Sequence, residues 1–200
     1  MSFNPEHEKL PDTQVPARRE LERPAPRHAR RAVGGRALAL LRIAMGLVFL
    51  WAFADNLLGL GYATTAADAW TRGGSPTQDF LSNVELGPLA STFHAWAGTW
   101  WADWLFMAGL LGIGLALVTG VALRITAISG TVMLLLMWAS EWPPARFTSA
   151  GEATHSTHPL IDYHVIYALV LVVLAATLAG DTWGLARRWA AFTGGRAWLR

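Results

Sequence analysis

Between Trp104 and Ala139 the chain carries one charged residue, Arg124, in 36 positions. No other feature limits the fold so tightly. A helix needs roughly 20 mostly apolar residues to cross about 30 Å of hydrocarbon, so this stretch is too long for one crossing. It suits two, turned at Thr119-Gly120, with spans near 103–120 and 122–140. The second stops at Glu141-Trp142-Pro143-Pro144, because paired prolines cannot continue a helix. Two further apolar runs, 37–58 (ALALLRIAMGLVFLWAFADNLL) and 162–180 (DYHVIYALVLVVLAATLAG), bring the predicted spans to four. The expected fold is an all-α membrane protein, a four-helix transmembrane bundle over residues 36–182.

Charge placement gives the bundle a direction. Eight of the sixteen Lys/Arg lie in the first 36 residues and four more after residue 186, leaving Arg42, Arg72, Arg124 and Arg146 between them. Cations that flank apolar segments, rather than cover a folded face, point away from nucleic acid and toward the lipid bilayer as partner. Cytoplasmic segments are enriched in Lys/Arg, so both basic tails, 1–35 and 183–200, are expected inside a bacterial plasma membrane. The first is rich in Pro, Arg and Glu and is expected to be disordered. It lacks the apolar core of a cleavable signal, which makes 37–60 an uncleaved anchor. Loops 59–102 and 141–161 then lie outside. Tryptophans at 51, 96, 100, 101, 104, 138 and 142 mark the outer boundary, and those at 183 and 189 the inner one, as an aromatic belt requires.

Small residues mark where membrane helices approach closely. Ala108, Gly112, Ala116 and Gly120 form such a stripe on span two, and Ala168, Ala176 and Gly180 another on span four. The tripeptide Leu41-Arg42-Ile43 recurs as Leu123-Arg124-Ile125, a faint internal repeat. Both arginines lie near span ends and are expected to snorkel to lipid phosphates. Span hydroxyls (Thr126, Ser129, Thr131, Thr177) are expected to bond back to the preceding turn, which ranks a transporter reading last.

The outer loops carry the polar chemistry. Ser75-Pro76-Thr77-Gln78 reads as a helix start with a capping serine and proline in the first turn. Leu89, Phe93, Trp96 and Trp100 form one apolar stripe, so 88–101 is expected to be a single interfacial helix roofing the bundle. Asp55, Asn56, His94, Asp103, Glu141, His155, His158, Asp162 and His164 all fall in this layer. Asp162 suits a helix N-cap. The pair His155 and His158 has no matching second pair, so no metal site is assigned. The absence of cysteine excludes iron–sulfur clusters and c-type haem. A carboxylate beside a histidine is suited to exchanging protons with a quinone oxygen, which selects Asp55, Glu141 and His164 as proton partners. Arg72, Arg146, Trp51 and Asp162 are the candidate substrate-binding residues, the two arginines as sites for an anionic donor.

The segments LRIAMGLVFLWAFADNLLGLGY, RGGSPT, WWADWLFMAGLLGIGLAL, GVALRI, LMWASEWPPA and PLIDYHVIYALVLVVLA resemble the actinobacterial DoxX-like membrane proteins over residues 37–190. That superfamily includes the large subunit of thiosulfate:quinone oxidoreductase. The resemblance implies a four-helix membrane subunit of a quinone-linked redox system, with quinone as cofactor and redox subunits as partners. Asn56 stands where relatives often carry lysine. The alternative is a non-catalytic anchor that recruits redox partners. The direction of insertion is checked by labelling a tag placed in 151–158 in intact cells. An impermeant reagent is expected to reach it.

Overall fold

The computed structural model describes residues 27–196 and Trp198. It is all-helical: α1 (Arg27–Leu58), α2 (Gln78–Ser82), α3 (Ala90–Trp96), α4 (Trp100–Thr119), α5 (Leu123–Glu141), α6 (Tyr163–Ala176) and α7 (Ala186–Phe192), with 3-10 turns at Trp70–Arg72 and Ala179–Asp181. The expected disordered tail, 1–35, lies outside the described residues as far as position 26, and from Arg27 the chain is already helical.

Among the described residues, three helices are long and apolar enough to cross a membrane: Val33–Leu58, Trp100–Thr119 and Leu123–Glu141, with mean hydropathy 2.1, 1.8 and 1.5. Only 28%, 39% and 33% of their most apolar windows are buried by protein. A helix that is hydrophobic all round and mostly uncovered by its own chain needs lipid on its other faces. This is the make-up of a helical membrane protein.

The predicted fourth span is shorter than expected. α6 has 14 residues, about 21 Å at 1.5 Å per residue. It ends at Thr177, whose hydroxyl donates to Val173 O at 2.7 Å, and at Leu178, which has φ 52°. The chain turns here because Gly180 lies against the α4–α5 turn: a Cβ on Gly180 would stand 2.2 Å from Gly120 O. The segment after it, expected as a plain basic tail, contains α7.

The α4–α5 turn falls where the sequence placed it. Gly120 has φ 74°, and its N–H donates to Ala116 O and Leu117 O, closing α4 with a left-handed cap. Of the small stripe only the end makes a close contact, Gly120 against Gly180 of the other stripe. Ala108 and Gly112 are exposed, and a Cβ on Gly112 would meet nothing within 4 Å. The close approach is instead between Gly46 of α1 and Gly114 of α4. A Cβ on Gly46 would lie 2.9 Å from Val118 N, and one on Gly114 would lie 2.7 Å from Leu50 Cγ. The buried face of α4 is Met107, Leu110, Ile113 and Leu117, and Gly114 belongs to that face while Gly112 is turned away from it. Of the span hydroxyls, Thr126, Ser129 and Thr177 bond back to the preceding turn as expected. Thr131 Oγ1 is buried without a partner.

Arg42 does not snorkel. It is completely buried. Its Nη1 donates to Leu117 O and to Val118 O (2.8 Å), and its Nη2 to Trp183 O (3.0 Å) and Thr182 O (3.4 Å). The last carbonyls of a helix have no intrahelical donor and carry the negative end of its dipole. A guanidinium brings five N–H groups in a fixed fork, so one side chain closes the end of α4 and holds the 182–183 turn against it. Arg124 is exposed, so the two arginines of the repeated tripeptide occupy unlike surroundings. Replacing Arg42 by Ala is expected to lower stability by on the order of 3 kcal/mol, since buried carbonyls lose their donors. Lys, a point charge with three donors, is expected to recover only part of it. Thermal unfolding of the two variants in detergent checks this order.

Candidate functional site

The polar residues that the sequence gathered into one layer separate into two loop latches and one cluster. The first latch is Asp55, buried near the end of α1. Its Oδ2 accepts from Ala63 N (2.7 Å) and Thr64 N (3.0 Å), and its Oδ1 from Tyr62 N (3.3 Å). Asn56 assists: it accepts from Thr64 Oγ1 at 3.1 Å and donates to Ala52 O at 2.9 Å. The Asp55 carboxylate folds the chain back after α1 and is occupied by the chain's own backbone.

The second latch is Asp103, in the first turn of α4. Its Oδ1 accepts from Thr77 Oγ1 (2.6 Å), Ser75 Oγ (2.9 Å) and Thr77 N (3.0 Å). Ser75 Oγ in turn accepts from Gln78 N at 3.2 Å, but α2 starts later than expected, with Thr77 rather than Ser75 at its N-cap and no side-chain cap bond. Together the latches pin the 59–102 loop to the ends of α1 and α4. His94 belongs to the loop's own framework, with Nε2 2.8 Å from Val84 O. The single helix expected over 88–101 is broken: α3 ends at Trp96, Gly98 has φ 67°, and Trp100 already opens α4. The apolar stripe loses its last member at the break: Trp100 is exposed, and it is Trp101 that meets Trp96 edge to face at 5.5 Å.

The cluster is Glu141, Asp162 and His164, at the facing ends of α5 and α6. Asp162 caps α6, its Oδ1 accepting from Val165 N at 3.1 Å. Its Oδ2 lies 2.8 Å from His164 Nδ1. Glu141, the last residue of α5, places Oε2 4.0 Å from the same nitrogen, and its Oε1 accepts from Tyr163 Oη at 2.7 Å. The Tyr163 ring lies over the imidazole, with centroids 4.0 Å apart. His164 is completely buried, and its Nε2 has no partner.

These contacts assign the imidazole proton. A carboxylate only accepts, so Nδ1 carries the hydrogen and Nε2 of the neutral ring presents a lone pair. Donor atoms of the three residues lie within 4.8 Å of one another, a spacing that brings a metal ion to mind. Turning Nδ1 onto an ion would leave Nε2–H buried with no acceptor, at a cost of about 1–3 kcal/mol, no more than the unpartnered Nε2 already costs. The contacts as they stand suit proton exchange.

The other candidates stay apart from the cluster. Arg72 and Arg146 are exposed on the loops, the latter with its guanidinium carbon 5.8 Å from the Phe147 ring centre. No hydrogen bond or ion pair among the described residues joins either to the cluster. Trp51 is half exposed and meets Tyr62 edge to face at 5.0 Å. His158 Nδ1 accepts from Ile161 N (2.9 Å) and Leu160 N (3.1 Å), serving its own loop, and His155 is exposed with φ 58°. Sequence reasoning missed the part of Tyr163, although the run Asp-Tyr-His at a helix start sets all three in adjacent positions. It also missed the Asp103 latch, which needed knowledge of where residues 75–77 fold.

No protein-family model, curated protein or solved structure matches this chain.

Substituting Asp103 by Ala removes the acceptor of a buried backbone N–H. Hydrogen exchange at Thr77 and along 75–82 is expected to speed up about tenfold or more, equivalent to at least 1.4 kcal/mol of lost protection. Exchange within α4 and α5 is expected to stay slow.

Proposed function

We propose that the chain is a DoxX-like, four-span subunit of a quinone-linked redox system in a bacterial plasma membrane, with both termini in the cytoplasm. A fourth crossing by α6 is supported by where its ends lie. Its first turn meets Glu141 at the end of α5, and Gly180 beyond it meets Gly120 just before α5 begins. The stretch from Asp162 to Gly180 therefore runs alongside the whole of α5, a helix long enough to cross. Four crossings keep both basic tails on one side, and the roof formed by α2 and α3 becomes extracytoplasmic.

The observation that carries the redox reading is His164. Its Nδ1–H is oriented by Asp162, and its Nε2 lone pair faces the protein interior without a donor. A hydroquinone hydroxyl is a donor of the right kind. Were a quinone bound there, it would accept the two electrons released when two thiosulfate ions join through a new S–S bond, together with two protons. One would come from His164 after Nε2 has taken up a proton from solvent, the imidazolium being held by Asp162 and Glu141, and the other from solvent directly. Arg72 and Arg146 are the exposed cations available to an anionic donor. Asp55, engaged by backbone N–H groups, has no part in this scheme.

A second reading, a non-catalytic scaffold that recruits redox subunits, draws on the same latches. Asp55 and Asp103 both serve to shape an external loop, which is what a docking platform needs. Purified protein given a soluble quinone and thiosulfate separates the two. The redox reading expects quinone reduction that falls about 100-fold in His164→Gln, with helicity retained by circular dichroism. A wild-type protein that neither reduces nor retains quinone, yet co-purifies with stoichiometric companions, would leave the scaffold reading standing.

A further inference from the structure

At the end of the bundle opposite His164, the structure holds a second concentration of chemistry that the redox reading does not use. Arg124, Arg187, Arg188 and Arg196 are exposed there, as is Arg36. None has an ion-pair partner among the described residues. Their positions converge through backbone contacts. A Cβ on Gly35 would lie 3.1 Å from Thr182 Oγ1, Gly180 abuts Gly120, and Leu185 N donates to Thr119 O at 2.8 Å. The segment after α6 is thus docked on the last turn of α4, level with the end of an apolar helix. Interleaved with the arginines are exposed apolar side chains: Trp183 (58%), Leu185 (45%), Phe192 (84%) and Trp198 (62%).

Cations and large aromatic groups at the same depth, beside the end of an apolar helix, match the headgroup zone of a bilayer. Leu178 just beyond α6 and Ile125 and Ile128 of α5 are exposed as well, surface that the membrane reading gives to acyl chains. An open groove of about 340 Å³ lies between Val118, Thr119, Trp183, Leu185 and Arg187, with the carboxylate of Asp181 on its rim.

We propose that residues 182–196 and Trp198, with Arg124 beside them, form a docking surface for anionic phospholipid headgroups. Arg187 and Arg188 meet the phosphates, while Trp183, Leu185 and Phe192 enter the glycerol level. Asp181 orients the arrangement by repelling phosphate from its own edge of the groove. The surface is independent of what happens at His164.

Each cation near an anionic surface strengthens attachment about fivefold, so the Arg187→Gln/Arg188→Gln double variant is expected to weaken binding about 25-fold. The full chain in mild detergent is titrated with phosphatidylglycerol, with phosphatidylcholine or with inorganic phosphate, and retained lipid is read by native mass spectrometry. Phosphatidylglycerol is expected to bind at least about tenfold better than phosphatidylcholine, and about 0.5 M salt to erase the difference. Arg146→Gln, at the far end, is expected to leave lipid retention unchanged, whatever it does to turnover. Equal retention of the two lipids overturns the proposal, as does undiminished binding in the double variant or an equal loss in Arg146→Gln. Competition by free phosphate at low millimolar concentration would make this a soluble-anion site and overturn it too, and so would displacement of the lipid by a tightly held companion protein. Should the double variant fail to fold, Arg187→Gln alone and the salt titration of wild-type protein decide the matter by the same criteria.

Discussion

Backbone groups at the ends of apolar helices need partners that water cannot supply, and the rest of this structure depends on how that need is met. A helix satisfies its own interior, but its first N–H groups and last carbonyls remain open. Each buried charge described above, and the partly buried Asp162, is placed against such groups or against the loop that follows them. Arg42 closes the carbonyl end of α4, Asp162 caps α6, and Asp55 and Asp103 gather the amides of the long loop. The charged residues within or beside the spans are therefore mostly fasteners. Their being ionised makes them stronger fasteners, because hydrogen bonds to charged groups contribute about 1.5–3 kcal/mol against roughly 1 for neutral pairs.

This explains which parts of the molecule were legible in the sequence. The apolar helices were, because hydropathy and length are summed over some twenty residues and no single position can spoil the sum. The turn at Gly120 was legible because glycine permits the left-handed cap that ends α4. Features set by the meeting of two distant segments were not. Arg42 looked like a residue reaching for lipid, since nothing in its neighbourhood announces that residues 182–183 fold back onto α4. The spacing of Ala108, Gly112 and Ala116 gave a tidy stripe, but the face that packs is chosen by where Gly46 can approach, and that selects Gly114. The 88–101 helix lost its continuity, and with it the last member of its apolar stripe, at Gly98, whose positive φ a periodicity count does not register.

The site was legible in its composition and only partly in its geometry. Asp162 at the cap and His164 two residues on could be placed from sequence, since both sit in one helix turn. That Glu141 reaches them follows from α5 and α6 running antiparallel with their ends level. Asp55, equally acidic and at a similar depth, was indistinguishable from Glu141 by residue type. Its difference lies entirely in the three amides of residues 62–64 that surround it.

His164 departs further from this pattern than the fasteners do. They spend most of their polar atoms on backbone, Arg42 Nε being left over, and the imidazole uses only one of its two nitrogens. A ring held by a carboxylate on Nδ1 could have been replaced, for capping alone, by any side chain that fills the space, since Asp162 already bonds Val165 N through its other oxygen. Burying an acceptor without a donor is unfavourable by about 1–3 kcal/mol, so the fold keeps an arrangement that stability by itself disfavours. The tension is relieved if a hydroxyl from a small hydrophobic molecule completes the bond. That is why the open nitrogen, rather than the carboxylates around it, is the atom on which the redox reading turns.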